Sequence, residues 1–435
     1  MSTFAPAHQN ASEFALSVVI PAYNEEDGIA EIAHRVLAVR EELVKVGVTR
    51  LELIVVDDAS RDRTAEIASS IDGVTLISHT QNRGYGGALK TGFNQATGDL
   101  IGFLDADGTY PPEFFPQLCQ VALNEAELVI GSRMAGAKSQ MPITRRIGNV
   151  FFASLLSLLG RQRVTDSASG MRVFRRDVLE RVYPLPDGLN LTPVMSTRAI
   201  HERIKMSEVP IPYSERMGRS KLSVVRDGTI FLRSMIWTAL TYNPVRILGL
   251  VGLACLAFTL AIALKFAYCR FILNITEIST IGIADLFAAL ITGVAGVSFF
   301  SLGISFNYLV ALFYKRPIRQ GLFGRPLFKQ PLDRQFGWMG ALGLIAGLIL
   351  GGVTLALGFG QEPGNLENTN RLWLYLLASA MLILVGIQLI IYWIILRVLD
   401  ELSQREILTQ RDMGTPSLEN DKDDPLLAKK DVGIA

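Results

Sequence analysis

The sequence predicts an α/β domain built on a doubly wound parallel sheet, followed by a helical membrane domain of four spans. Three observations carry this expectation. Up to about Asn243, short apolar runs alternate with helix-like segments of ordinary charge, the pattern of strands buried on both faces between crossover helices. Beyond it stand four apolar stretches long enough to cross a bilayer. Three of the early runs also stop at polar or acidic clusters that a parallel sheet would bring to one edge. The chain is 49% hydrophobic with a mean hydropathy of +0.31. Because that excess lies in the second half, it separates one soluble domain from one membrane domain.

Taken in order, Leu16–Ile20 is the first strand, closed by Pro21 and followed by the loop PAYNEEDGI and an amphipathic helix to about Val46. Leu51–Val56 is the second strand and runs into Asp57-Asp58-Ala59-Ser60, with a helix over Asp62–Ser70. Val74–Ser78 is the third, followed by QNRGYGGALKTGFNQATGD. Leu100–Leu104 is the fourth and stops at Asp105-Ala106-Asp107; Glu127–Ile130 is the fifth. Carboxylates one residue apart at the end of a buried strand repel each other unless a cation neutralises them. A hard divalent cation beside a diphosphate is the occupant such a pair suits; the plainer alternative is an acidic loop that caps the next helix. Gly84, Gly86 and Gly87 open a helix, where backbone N–H groups could face an anion. They follow the third strand rather than the first, which excludes a NAD or FAD fingerprint and leaves tight packing as the other reading.

Three cysteines without Cys-x-x-Cys spacing and four scattered histidines exclude a disulfide framework, a zinc site and a histidine metal cluster. The formal charge of +1 points to no class of partner. Met1–Phe14 is polar and lacks the apolar core of a secretory signal, so the soluble domain is expected in the cytoplasm. Pro142–Gly160 reads as an amphipathic helix with Arg145 and Arg146 at its start, either lying in the membrane interface or docked on the sheet. Asp166, Ser169, Gly170 and Arg172 precede a further strand and helix. Arg216–Leu240 opens as a basic loop and continues as a second interface candidate.

The spans expected are Val245–Tyr268, Ile281–Tyr314, Phe336–Phe359 and Leu372–Leu399. Between the second and third, Lys315, Arg316, Arg319, Arg325, Lys329 and Arg334 oppose the single acid Asp333, whereas QEPGNLENTN between the third and fourth has no basic residue. The positive-inside rule then puts the basic loop, the soluble domain and both termini on the cytoplasmic side of an integral membrane protein. The expected division is a disordered 1–15, a catalytic domain over 16–220, an amphipathic interface helix over 221–243, the four spans over 244–400 and a disordered tail over 401–435.

PAYNE after strand one, VVDDAS after strand two, DADGTYPPE after strand four and SASGMR further on together resemble the family 2 glycosyltransferases. The nearer likeness is to their dolichol- and polyprenyl-phosphate glycosyltransferase branch, and the motifs cover about Ser17–Leu222. The resemblance implies a GT-A (Rossmann-like) domain and inverting transfer of one hexose from a nucleotide sugar to a polyprenyl phosphate. Pro21, Ala22, Tyr23, Glu25, Asp57, Asp58, Lys90, Asp105 and Ala106 match the nucleotide-sugar site. Asp105 and Asp107, with Thr109, match the site for magnesium or manganese. Arg133, Arg145, Arg146, Arg172, Arg219, Ser220 and Lys221 stand where the family holds the acceptor phosphate. Asp166, Asp107 and Arg133 are the expected catalytic set, with Asp166 orienting acceptor or sugar or serving as a base. Thr109 replaces the glutamine usual in mannose-specific synthases, which turns the donor expectation from GDP-mannose towards UDP-glucose. Oligomeric state is not readable, so a homo-oligomer stays open.

Two enzymatic and scaffold rivals share this fold. A processive polysaccharide synthase normally carries a Gln-x-x-Arg-Trp motif, and none of the four tryptophans ends one. A silent scaffold would not need its acids intact. A transporter would place ionisable groups inside the spans, whereas Lys265 and Asp285 lie towards span ends.

Overall fold

The computed structural model describes residues 13–136, 141–159, 162–214, 224–275, 279–314, 332–359 and 366–412. It divides into two units at Tyr242/Asn243. In the first unit the elements are β1 (Phe14–Ala22), α1 (Ile29–Ala38), α2 (Arg40–Lys45), β2 (Val48–Asp57), α3 (Thr64–Ser69), β3 (Val74–Ser78), α4 (Tyr85–Gln95) and β4 (Leu100–Phe103). They continue as α5 (Phe115–Asn124), β5 (Leu128–Ser132), α6 (Ile143–Leu159), β6 (Arg172–Arg175), α7 (Val178–Val182), α8 (Leu191–His201), β7 (Met206–Pro210) and α9 (Val224–Tyr242).

One seven-stranded sheet runs in the order β3-β2-β1-β4-β6-β5-β7. Successive side chains of a strand point to opposite faces, and the buried residues divide accordingly. Leu16, Val18, Ile20, Leu53 and Val55 join α1, α2 and α5 on one face. Val19, Ile54, Val56, Ile101 and Phe103 join α4, α7 and α8 on the other. Burial on both faces is why these strands read as unbroken apolar runs.

The sheet is mixed, which corrects the expectation of an all-parallel one. β6 runs antiparallel to both β4 and β5. β5 ends and β6 begins where β1, β2 and β4 terminate, so β6 runs back between β4 and β5 in the opposite direction. Between them α6 gives Leu156 to the core on one face, while Ile143, 76% exposed, and Ile147, 65% exposed, point outward.

The docked alternative for the two amphipathic helices holds in part. On α6, Asn149, Ala153 and Leu156 are buried, while Val150, Phe151 and Leu158 form an exposed apolar stripe. On α9, Met235 and Ala239 are buried and Trp237 is exposed. Phe152 and Phe231 join the two helices edge to face at 6.0 Å.

The second unit contains α10 (Pro244–Phe271), α11 (Thr280–Tyr314), α12 (Phe336–Phe359) and α13 (Leu366–Asp412). Each holds a segment long and apolar enough to cross a membrane. Interhelical hydrogen bonds join them at Thr259–Thr292 (2.7 Å) and Gln388–Ser298 (2.5 Å), contacts that specify neighbours where the surroundings are uniformly apolar. Lys265 and Asp285 pair at 2.6 Å. The tail expected to be disordered from 401 is helical to Asp412; its residues are mostly good helix formers, and no proline occurs before Pro416. The basic loop that sets the expected orientation lies almost wholly outside the described residues.

Candidate active site

Where β1, β2 and β4 end, the loops enclose a crevice of 510 Å³, a usual size for a small-molecule site. Pro21, Ala22, Tyr23 and Glu25 border it from the first strand, Asp58 from the second, and Asp105, Ala106, Asp107, Thr109 and Tyr110 from the fourth. Parallel pairing with both neighbours puts β1 in register between β2 and β4, so the three polar clusters converge as their spacing predicts. Cross-loop bonds fix their conformation. The Asp58 amide donates to Ala22 O at 2.8 Å, the Asn24 amide to Ser60 Oγ at 2.9 Å and the Glu25 amide to Thr64 Oγ1 at 2.9 Å.

The two adjacent acids of the second loop face different tasks. The Ser60 amide donates to the Asp57 carboxylate at 3.3 Å, folding the turn. Asp58 reaches the crevice wall, but its carboxylate accepts from His79 Nδ1 at 2.7 Å and from the Arg83 and Gly84 amides, each at 2.8 Å. It organises the loop ahead of α4. The glycines of that loop are packing positions: a Cβ on Gly86 would stand 2.2 Å from Pro186 O, and the Gly87 amide donates to Asp187 O at 3.0 Å. The packing reading of these glycines thus has direct support, and the Gly84 and Gly87 amides are taken up by Asp58 and Asp187.

Asp105 and Asp107 sit together at the crevice floor. Tyr85 Oη donates to Asp105 Oδ1 at 2.8 Å, and burial together with that carboxylate raises the tyrosine pKa well above its ordinary value, so the hydroxyl keeps its proton. A Cβ on Gly170 would lie 2.5 Å from Asp105 Oδ2; only glycine lets the SASG turn close on this carboxylate. Thr109 donates to Asp107 Oδ1 from its hydroxyl at 2.6 Å and its amide at 3.1 Å. Its hydroxyl thus orients Asp107. Among the described residues no three His, Cys, Asp or Glu side chains are grouped to hold a metal ion. A hard divalent cation needs only one or two carboxylates where substrate phosphates and water complete its shell, and the Asp105/Asp107 pair fits that donor set.

On the far wall Arg133 forms a two-pronged ion pair with Asp166, Nε to Oδ2 at 2.7 Å and Nη2 to Oδ1 at 2.8 Å. The Arg133 amide and Asn149 Nδ2 also donate to this carboxylate, at 3.1 and 3.0 Å. Tyr110 and Tyr213 flank the guanidinium at 5.6 and 5.5 Å. Burial pushes the Asp166 carboxyl up, and the Arg133 charge and the four donors outweigh it, holding the pKa below the ordinary carboxylate value. Through these bonds the fully buried Asp166 holds the Arg133 guanidinium in place. Glu208, on β7, accepts from the Thr165 and Asp166 amides at 2.8 and 3.0 Å and so sets the turn that carries Asp166.

The expected cations separate. Arg145 borders the crevice with Arg133. Arg146 is exposed on another face of α6. Arg172 is fully buried, donating to Ser169 O at 3.2 Å and Ser167 O at 2.8 Å; burial lowers its pKa to about 10. It braces the SASG turn from behind and cannot reach an acceptor. Lys90 pairs with Asp187 at 2.6 Å and donates to Leu185 O at 2.9 Å, so it fastens the loop after α7 and does not border the crevice. Arg219, Ser220 and Lys221 lie outside the described residues. Tyr213 and Asn149 join the site unannounced by any motif, whereas Tyr85, Tyr110 and Gly170 stand within the glycine stretch, DADGTYPPE and SASGMR.

The family model described as Glycosyl transferase family 2 matches residues 17–183, and one described as a domain of unknown function matches 244–410. The low-salt glycan biosynthesis hexosyltransferase Agl6 of Haloferax volcanii is 34% identical over 52% of this chain, and the match spans about half (54%) of that relative. The undecaprenyl-phosphate 4-deoxy-4-formamido-L-arabinose transferase of Photorhabdus laumondii is 32% identical over 68% of this chain and 88% of its own length. Among solved structures, glucosyl-3-phosphoglycerate synthase from Mycobacterium tuberculosis, in complex with Mn2+, UDP and glucosyl-3-phosphoglycerate, is 23% identical. That alignment covers 55% of this chain and 86% of the other, with a TM-score of 0.42.

Proposed function

The chain belongs to glycosyl transferase family 2, and we propose that it transfers one sugar, with inversion, from a nucleotide sugar to a polyprenyl phosphate at a membrane surface. The observation that carries this reading is the composition of the crevice walls. Acids stand at the strand ends on one side, and Arg133 and Arg145 stand on the other, on or beside a helix that turns an apolar stripe outward. A diphosphate and a lipid phosphate are the pair of substrates such walls would receive. The polyprenyl-phosphate relative supports the acceptor class.

The reaction is one substitution. A phosphate oxygen of the acceptor forms a bond to the anomeric carbon, the bond from that carbon to the diphosphate oxygen breaks, and the nucleoside diphosphate leaves with the electron pair. The second pKa of a phosphate monoester is about 6, so the acceptor is largely dianionic at neutral pH and needs no strong base; the paired state of Asp166 agrees with this. Asp105 and Asp107 would hold Mg2+ or Mn2+, which when bound offsets charge on the departing diphosphate. Tyr85 and Gly170 hold Asp105, and Thr109 holds Asp107. Arg133, fixed by Asp166, and Arg145 supply the positive field that brings two phosphates together. The acid-lined loops of β1 and β2 take the nucleoside. Which donor is used, UDP-glucose or another UDP- or GDP-sugar, rests on the Thr109 departure alone. The four apolar helices would hold the enzyme in the bilayer with the crevice on the cytoplasmic side, as the basic loop implies.

Arg145→Ala tests the acceptor assignment. The KM for undecaprenyl phosphate is expected to rise about tenfold, the size of one charge-assisted contact, while the KM for the donor stays within twofold. A rise in donor KM alone would place Arg145 on the nucleotide side and contradict the reading.

A further inference from the structure

Two glycines on the crevice walls have no packing reason to be there. Gly148 lies within α6 and Gly228 within α9, and both border the crevice. A Cβ on Gly148 would meet nothing within 4 Å, and one on Gly228 only the Phe152 ring edge at 4.0 Å. Glycine is the weakest helix former after proline. Neither position has a close neighbour or a left-handed backbone to require it, in contrast to Gly170. Phe152, Phe231 and Leu189 are apolar groups on the same crevice wall, beside the charged Asp227 and Arg145. A second cavity of 320 Å³ shares Gly84, Tyr85, Leu189, Asp227 and Phe231 with the crevice and is lined further along α9 by Arg226 and Ile230, the latter 41% exposed.

We infer that Gly148 and Gly228 keep open the channel by which the first isoprene units of the lipid acceptor leave the crevice between α6 and α9. This rests on the polyprenyl-phosphate reading above and adds the residues that admit the chain. An isoprene unit is flat, branched and wholly apolar, so it gains from Phe152 and Phe231 by burial alone. A side chain at either glycine would occupy the same volume. The two helices thus divide the acceptor, with its phosphate at Arg145 and Arg133 and its hydrocarbon past Gly228 towards Ile230.

The test compares full-length wild type, Gly148→Leu, Gly228→Leu and the two alanine variants in detergent, with undecaprenyl phosphate as acceptor. The alanine variants are expected to melt at or above the wild-type temperature, since no atom is displaced and the helices gain a better former. Each leucine variant is expected to lose tenfold or more in kcat/KM for undecaprenyl phosphate with the donor KM unchanged and the fold intact by melting. Leucine variants with wild-type acceptor kinetics would overturn the inference, as would a rise in donor KM, which would give the space to the nucleotide sugar. If wild type transfers to no prenyl phosphate, the underlying reading fails and this one with it. That outcome is read on wild type alone and is distinct from failure of the channel.

Discussion

Asp107→Ala is expected to lower transfer at least about 10²- to 10³-fold, the range seen when one preorganised electrostatic contact to developing charge is removed. Asp107 is 7% exposed and, with Asp105, supplies the carboxylates on the crevice floor. Its loss leaves one hydroxyl and one amide donor of the buried Thr109 without this acceptor, at a cost of about 1–3 kcal/mol for an unsatisfied buried donor, below the roughly 5–15 kcal/mol that holds a domain folded. The variant should therefore fold, and a melting curve near that of wild type beside absent product would separate chemistry from stability. Asp107→Asn keeps the shape and the Thr109 bonds but removes the charge. It is expected to be nearly as inactive, and raising Mg2+ or Mn2+ should recover part of its rate by mass action. Full activity in Asp107→Asn would show that charge at this position is not what the reaction uses.

Asp166→Ala and Arg133→Ala carry the largest expected stability effects. Each leaves one charge of a buried pair without its partner, which costs about 3–5 kcal/mol. For a unit of this size that lowers the melting temperature by roughly 10 °C. Arg133→Met combined with Asp166→Leu removes both charges and should recover much of the loss while remaining inactive, because the positive wall is gone. The pH dependence has a definite sign. Because the folded-state pKa of Asp166 is depressed, its stabilising contribution is present above the ordinary carboxylate value of about 4 and is lost only as pH falls through the lower folded value. Over about pH 6–8 neither stability nor rate should titrate with this group. A base limb in the pH–rate profile that disappears in Asp166→Asn would contradict its role as a positioning residue.

The half of the sheet that builds the crevice floor was legible because β1, β2 and β4 are buried on both faces and end in polar residues. Continuous apolar runs and abrupt acids are signals that survive in one dimension. Strand direction is not such a signal, and β6 therefore reads like any other strand although it runs backwards. β7 escapes because MSEVP is short and carries Glu208, whose partners are backbone amides some 40 residues earlier. α8 escapes because it is buried on all sides and has no polar face to give it a period.

Within the site, motif residues on loops fall where spacing puts them, and residues identified by charge alone divide. Arg145 and Arg172 look alike as letters, yet one borders the crevice and the other is sealed beneath the SASG turn. Lys90 stands one turn beyond the glycine loop and faces Asp187 instead of a phosphate. The three tyrosines that hold Asp105 and flank Arg133 come from three different elements or loops, and only folding brings them together.

The most direct measurement is transfer itself: purified protein in detergent, undecaprenyl phosphate, Mg2+ or Mn2+, and a panel of radiolabelled UDP- and GDP-sugars. Label from one donor is expected to move into the organic phase as a single mild-acid-labile lipid, and Asp107→Ala to abolish it. Label appearing in polymer, or in no lipid from any donor, would contradict it.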